Sequence, residues 1–150
     1  IAQADSFDDE FDAEVWLVQK SGVLQRYIKN PDKRLTILKE VHKAAKRADI
    51  PPEFVLAVIQ IESAFDVYAV SSAGALGIMQ VMPFWKHEIG RESDNLNELK
   101  TNLRYGCTIL KHYLDRAKGD WKEALARYNG SYGSYRYPEK VLVAWQKNWR

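Results

Sequence analysis

The chain has 150 residues, 46% hydrophobic and 28% charged, with a formal net charge of +2. That suits one domain, residues 1–150, with a real core. It gives no support to nucleic acid as a partner, and no apolar run is long enough for a transmembrane helix. A single cysteine, Cys107, rules out an internal disulfide. Its apolar neighbours Leu103 and Leu110 favour core packing over catalysis. The three histidines, His42, His87 and His112, are far apart in sequence and none belongs to an H-x-x-x-H pair, so neither a metal nor another cofactor is expected.

The start is acidic: Asp5, Asp8, Asp9, Glu10, Asp12 and Glu14. Ala2-Gln3-Ala4 fits the tail of a small-residue cleavage site. Residues 8–28 scatter Phe11, Val15, Trp16, Val18, Leu24 and Ile28 among charges and predict one helix, broken or bent near Ser21-Gly22. Asn30-Pro31 reads as the cap and first position of a second helix, running to about Ala48. Leu35, Leu38, Val41, Ala45 and Ala48 form its buried stripe. Lys33, Arg34, Lys39, Lys43, Lys46 and Arg47 form its solvated face.

Residues 51–63 are the centre of the chain. Pro51-Pro52 suits a first helical turn, and Phe54, Val55, Leu56, Ala57, Val58, Ile59 and Ile61 point in nearly every direction around a helix. A helix apolar all round is a buried one. At its far end sits Glu62, where lost hydration and the negative end of the helix dipole both disfavour the charged form. A carboxyl still protonated near neutral pH is what a general acid requires. The competing reading is a glutamate at a frayed helix end, reaching water.

Ser71, Ser72, Gly74 and Gly77 break the helical pattern with tight turns. A short helix over about 83–89 closes at Gly90, and 91–99 is a polar loop. Thr101 is expected to cap a helix from about 102 to 117, with Leu103, Cys107, Leu110 and Leu114 as its stripe. Gly106 in the middle implies a close helix contact. Asp120-Trp121-Lys122-Glu123 resembles a capping box and opens a helix over 121–128 that stops at Asn129-Gly130. A flexible aromatic loop, 130–137, leads to a last helix starting at Pro138, with Val141, Leu142, Trp145 and Trp149 on one side. The fold class is all-α, a compact domain of about seven or eight helices around the buried helix 51–63.

A second carboxylate opposite Glu62 is not evident. Asp66 reads as a turn residue, and Glu88, Glu92 and Asp94 lie in polar surroundings. Four segments then carry a specific resemblance: Glu62-Ser63-Ala64-Phe65 continuing to Ala69-Val70-Ser71; Gly74-Ala75-Leu76-Gly77-Ile78-Met79-Gln80-Val81-Met82-Pro83; Asn102-Leu103-Arg104-Tyr105-Gly106; and Ala124-Leu125-Ala126-Arg127-Tyr128-Asn129-Gly130. Over about residues 50–145 this order resembles the catalytic domain of soluble lytic transglycosylases, which share the goose-type lysozyme fold. It implies a catalytic core over 49–150, with 1–48 as an N-terminal helical extension.

The resemblance implies cleavage of the β-1,4 bond between N-acetylmuramic acid and N-acetylglucosamine in peptidoglycan. The product carries a 1,6-anhydro ring, and Glu62 serves first as acid and then as base. It implies peptidoglycan strands as partner and a periplasmic or exported location. Ser71, Gln80, Met82, Tyr128, Asn129 and Tyr137 match substrate-cleft positions, and Ser63 a support of the helix end. Apart from the resemblance, Ser71 reads as a turn residue, Met82 as core and Asn129 as a helix stop. Departures fall at Asp66-Val67, Gly133-Ser134 and Pro138, which leave the cleft lip over 131–137 open. Two alternatives stand beside this reading. One is a lysozyme-like muramidase that hydrolyses the same bond; the other is a non-catalytic wall-binding scaffold.

Overall fold

The structure is a computed structural model that describes residues 6–150; Ala2-Gln3-Ala4 lies outside the described residues. Among the described residues seven α-helices follow one another: α1 (Glu10–Leu24), α2 (Pro31–Ala48), α3 (Pro52–Ser63), α4 (Trp85–Ile89), α5 (Leu99–Arg116), α6 (Trp121–Asn129) and α7 (Arg136–Ala144). A π-helical turn, Trp145–Trp149, continues from α7. The described residues hold no strand, only isolated bridges pairing Val70 with Leu76 and Leu76 with Val81. The fold is all-α, as the helical periodicity implies.

Helix α3 is the rod on which the rest packs. Val55 to Ile59 are wholly buried, because α2, α7 and the π turn lie against different sides of it. It stops within one residue of Ser63 without a glycine. Ala64 (φ 50°) and Phe65 (φ 66°) both adopt the left-handed region, which costs a non-glycine residue ~1–2 kcal/mol. Phe65 offsets that cost by burial: it is 3% exposed and packs on Tyr27 and Trp149. Burying a Phe side chain is worth roughly 1.5–3 kcal/mol. The chain therefore leaves α3 sharply, just past Glu62.

Helix α1 departs from its expected form. It runs unbroken through Ser21-Gly22 and ends at Leu24. Its buried side is Ala13, Leu17, Lys20 and Leu24, while Phe11, Val15 and Val18 face outward. The buried Lys20 ammonium donates to the Trp149 carbonyl at 2.7 Å, and Trp16 Nε1 donates to Glu53 at 2.7 Å. These bonds fasten α1 to the far end of the chain and to the start of α3.

Asn30 caps α2 by accepting from the Asp32 and Lys33 amides, as its Asn-Pro start implies. Arg34, however, is buried rather than solvated. Its guanidinium donates to Ser21 Oγ and to the Ile28 and Lys29 carbonyls, each at 2.9 Å. The α1–α2 connector has carbonyls that no helix satisfies, and Arg34 supplies the donors.

Helix α5 begins at Leu99, earlier than expected. Glu98 stands at the cap position and Thr101 lies inside the first turn, donating to the Glu98 side chain. Gly106 does make a close contact, with the loop before α4 rather than with a helix. A Cβ there would meet Met79 Cβ at 2.8 Å. Its neighbour Cys107 is buried, and burial pushes the thiol up to about 12.

Asp120 caps α6 by accepting from the Lys122 and Glu123 amides, and Gly130 (φ 79°) ends it. Helix α7 starts at Arg136, two residues before Pro138, so Pro138 sits in the first turn, where its missing N–H costs nothing.

Candidate active site

Glu62 occupies the last turn of α3, with six buried apolar residues behind it from Phe54 to Ile59. Desolvation dominates its chemistry and raises its pKa to about 7; hydrogen bonds from Tyr137 and Asn129 act in the opposite direction. The Tyr137 hydroxyl donates to Glu62 Oε2 at 2.7 Å. The α7 start places Tyr137 there, with its ring buried. Asn129 comes from the last residue of α6, where the chain must turn through Gly130.

These groups border a groove of about 380 Å³, lined by Glu62, Ile61, Asn129, Ser131, Arg136 and Tyr137 among others. Glu62 is the only carboxylate among its lining residues. The Ser131 hydroxyl is buried there and has no hydrogen-bond partner among the described residues. An unpaired buried hydroxyl costs about 1–3 kcal/mol, so a bound polar group would relieve it. Nothing in the sequence around Asn129-Gly130 singles out Ser131.

The other expected site residues either belong to the loop that faces this end of α3, as Ser71, Gln80 and Met82 do, or bond to it from a helix, as Ser63 on α3 and Tyr128 on α6 do. Tyr128 lies close enough to Glu62 for the carboxylate to push its phenol well above the ordinary range, second to burial. Its hydroxyl donates to the Met79 carbonyl at 2.8 Å. Ser63 donates to the Ile78 carbonyl at 2.7 Å and to the Ile59 carbonyl at 3.3 Å, tying the helix end to the same loop. Gln80 is left-handed (φ 56°), and its amide donates to the Ala69 and Gly77 carbonyls. Ser71 Oγ accepts from the Ala75 amide at 3.0 Å within its own turn. Met82 is half-buried just after the Leu76–Val81 bridge. Ser71, Gln80, Met82 and Tyr128 do not line the groove at Glu62.

A further residue holds this loop together. Asn102, buried on α5, donates to the Leu76 and Leu96 carbonyls at 2.8 and 2.7 Å and accepts from the Met79 amide at 2.8 Å. Its side chain thereby fixes the segment whose Met79 carbonyl receives Tyr128. The Asn at the start of an apolar stripe was the available signal, since a polar residue at a core position must find partners.

The geometry gives one direct expectation. Tyr137→Phe removes a donor that favours the ionised carboxyl, so the Glu62 titration moves to higher pH. Carbon-13 NMR of the Glu62 carboxyl measures it; a downward movement would show that the hydroxyl favours the acid form instead.

Comparison with known proteins adds the following. The model of the transglycosylase SLT domain matches residues 39–141. The chain is 54% identical over 43 residues to the membrane-bound lytic murein transglycosylase C of Actinobacillus pleuropneumoniae, covering 29% of this chain and 12% of that protein. It is 44% identical over 91 residues to the protein of the same name from Haemophilus influenzae, covering 50% of this chain and 25% of that one. Among solved structures it resembles an inactive mutant of the lytic transglycosylase Slt from Pseudomonas aeruginosa. There the TM-score is 0.57 at 25% identity, covering 93% of this chain and 23% of that one. The chain thus spans a quarter or less of these relatives' lengths.

Proposed function

The chain belongs to the transglycosylase SLT domain family, and on that premise we propose that it cleaves the β-1,4 bond between N-acetylmuramic acid and N-acetylglucosamine in peptidoglycan. The observation that carries this is a lone, desolvated carboxyl, Glu62, titrating near 7 at the edge of a groove with no second carboxylate in its lining. Protonated Glu62 gives its proton to the glycosidic oxygen as the bond from that oxygen to C1 of the muramoyl residue breaks. The resulting carboxylate takes the proton of the muramoyl 6-hydroxyl as O6 bonds to C1. The acid is restored, water is not consumed and the product is a 1,6-anhydro sugar.

The tyrosine and asparagine at Glu62 hold its carboxyl in place and stabilise the ionised form between the two transfers. Substrate contacts are assigned to Asn129, to the free Ser131 hydroxyl and, on the facing loop, to Met82 and the remaining hydrogen-bonding capacity of Ser71 and Gln80. Tyr128 and Ser63 shape that loop through the Met79 and Ile78 carbonyls. Residues 1–48 are assigned as a helical extension to the core over 49–150. The natural site of action is the periplasm or cell exterior, where peptidoglycan lies. No helix among the described residues is long and apolar enough to cross a membrane.

Hydrolysis would need a group to hold the attacking water, and the groove lining supplies no second carboxylate for it. Mass spectrometry of fragments released from purified sacculi decides between the two outcomes. Anhydro ends, one water lighter than reducing ends, are expected. Reducing ends alone would sink the lyase mechanism.

A further inference from the structure

The outer side of α1 takes no part in the core. Phe11 is 80% exposed, Val15 65% and Val18 74%. With Gly22 they recur at spacings of four, three and four residues, which makes one seam along a helix. A Cβ added at Gly22 would meet nothing within 4 Å. The seam therefore runs from a protruding ring near the helix start to an open notch near its end. All four positions precede residue 39, where the match to the SLT domain begins. A contiguous apolar stripe left to water marks a surface that another molecule covers.

Two observations favour a second copy of this chain as the cover. The first is shape. Phe11 and Gly22 lie equally far on either side of the point between Trp16 and Leu17, and so do Val15 and Val18. Two such helices running antiparallel about that point seat each Phe11 in the other copy's Gly22 notch. Each Val15 then meets the other copy's Val18. Residue i meets j and j meets i, which is the condition for a two-fold interface.

The second is charge. Asp8, Asp9, Glu10, Asp12 and Glu14 crowd the start of α1, and Arg26 and Lys29 follow its end. None of these side chains makes an ion pair among the described residues. An antiparallel pair sets the acidic start of each copy beside the basic end of the other and opposes the two helix dipoles. A parallel pair would set five carboxylates against five. The same carboxylates repel an anionic bilayer surface, which disfavours lipid as the cover.

We propose that α1 is the contact of a two-fold, antiparallel homodimer. The contact is small, on the order of 1,000 Å² in total and at the low end of specific interfaces. Association is therefore reversible, with a dissociation constant on the order of 100 µM. No residue of α1 lines the groove at Glu62, so both grooves of a dimer lie outside the contact. The proposal does not depend on what the groove cleaves.

Sedimentation equilibrium from about 10 µM to about 1 mM tests it. The average mass is expected to climb from 17.3 kDa toward twice that value. Phe11→Ser and, separately, Gly22→Leu should each weaken the dimer at least about tenfold, with the circular dichroism of the dilute chains unchanged. Gly22→Leu is the sharper variant. It adds apolar surface, so unspecific sticking would grow, whereas a filled notch expels Phe11. A chain that stays monomeric throughout this range, or a dimer that Gly22→Leu leaves intact or tightens, would overturn the interface.

Discussion

Glu62→Gln leaves the helix and its surroundings in place and lowers wall-glycan turnover by at least about 10²-fold, the low end of what general acid–base catalysis supplies. The amide keeps the size of the side chain and an oxygen for Tyr137, but it has no proton to give and cannot become a base. Activity in the parent chain should fall as pH rises through about 7, where Glu62 loses its proton. Stability offers a second readout that owes nothing to catalysis. The folded pKa is raised above the ordinary 4.5, so between those values the native state holds a proton that the unfolded chain has released. Unfolding free energy therefore falls as pH rises across this window, by about 3 kcal/mol from this group, and stays lower above it. The variant escapes that penalty. At pH 8 it should melt at a higher temperature than the parent, with the difference vanishing near pH 4. Thermal scans at the two pH values check this, and a variant that is active, or no more stable at pH 8, would contradict the assignment.

Asn102→Leu carries the second large effect, this time on the scaffold. Leucine fills the same space but abandons the Met79 amide and the Leu76 and Leu96 carbonyls, all of which Asn102 satisfies. Each buried polar group left without a partner costs about 1–3 kcal/mol, so a loss of about 3 kcal/mol or more is expected. For a chain of this size that lowers the melting temperature by roughly 10 °C. Turnover falls too, because the Met79 carbonyl that receives Tyr128 is no longer held. Thr101→Ala, one residue earlier, serves as the contrast. It loses only an exposed bond to Glu98 and should stay within about 0.5 kcal/mol of the parent. Urea denaturation of the two variants measures the difference, and near-equal midpoints would refute the role given to Asn102.

What was legible in the sequence follows from which interactions are local. The Asn30-Pro31 start of α2, the Asp120 cap of α6 and the all-apolar course of α3 depend on neighbours a few residues away, and they can be read directly. So can the desolvation of Glu62, since the apolar run precedes it in the chain. What escaped depends on distant partners. Arg34 reads as solvated until the α1–α2 connector turns its carbonyls inward. The apolar residues scattered along α1 do not say which side faces inward: Ala13, Leu17, Lys20 and Leu24 take it, and Phe11, Val15 and Val18 are exposed. The π-helical continuation of α7 brings Trp149 beside Phe65, where its indole donates to Gln60, 89 residues away in the chain. Asn102 shows itself only as a polar residue in an apolar stripe, its partners hidden, and Ser131 matters for what surrounds it, which a linear pattern does not give.

The lone cysteine has a practical meaning beyond packing. Cys107 sits beside the glycine against which Met79 rests, 1% exposed, with a thiol that ionises only near 12. Alkylating reagents attack the thiolate, so they must wait for the packing around α5 to open. The pace at which such a reagent marks the chain thus becomes a clock for the loosening of the layer beneath the cleft, with no label engineered in.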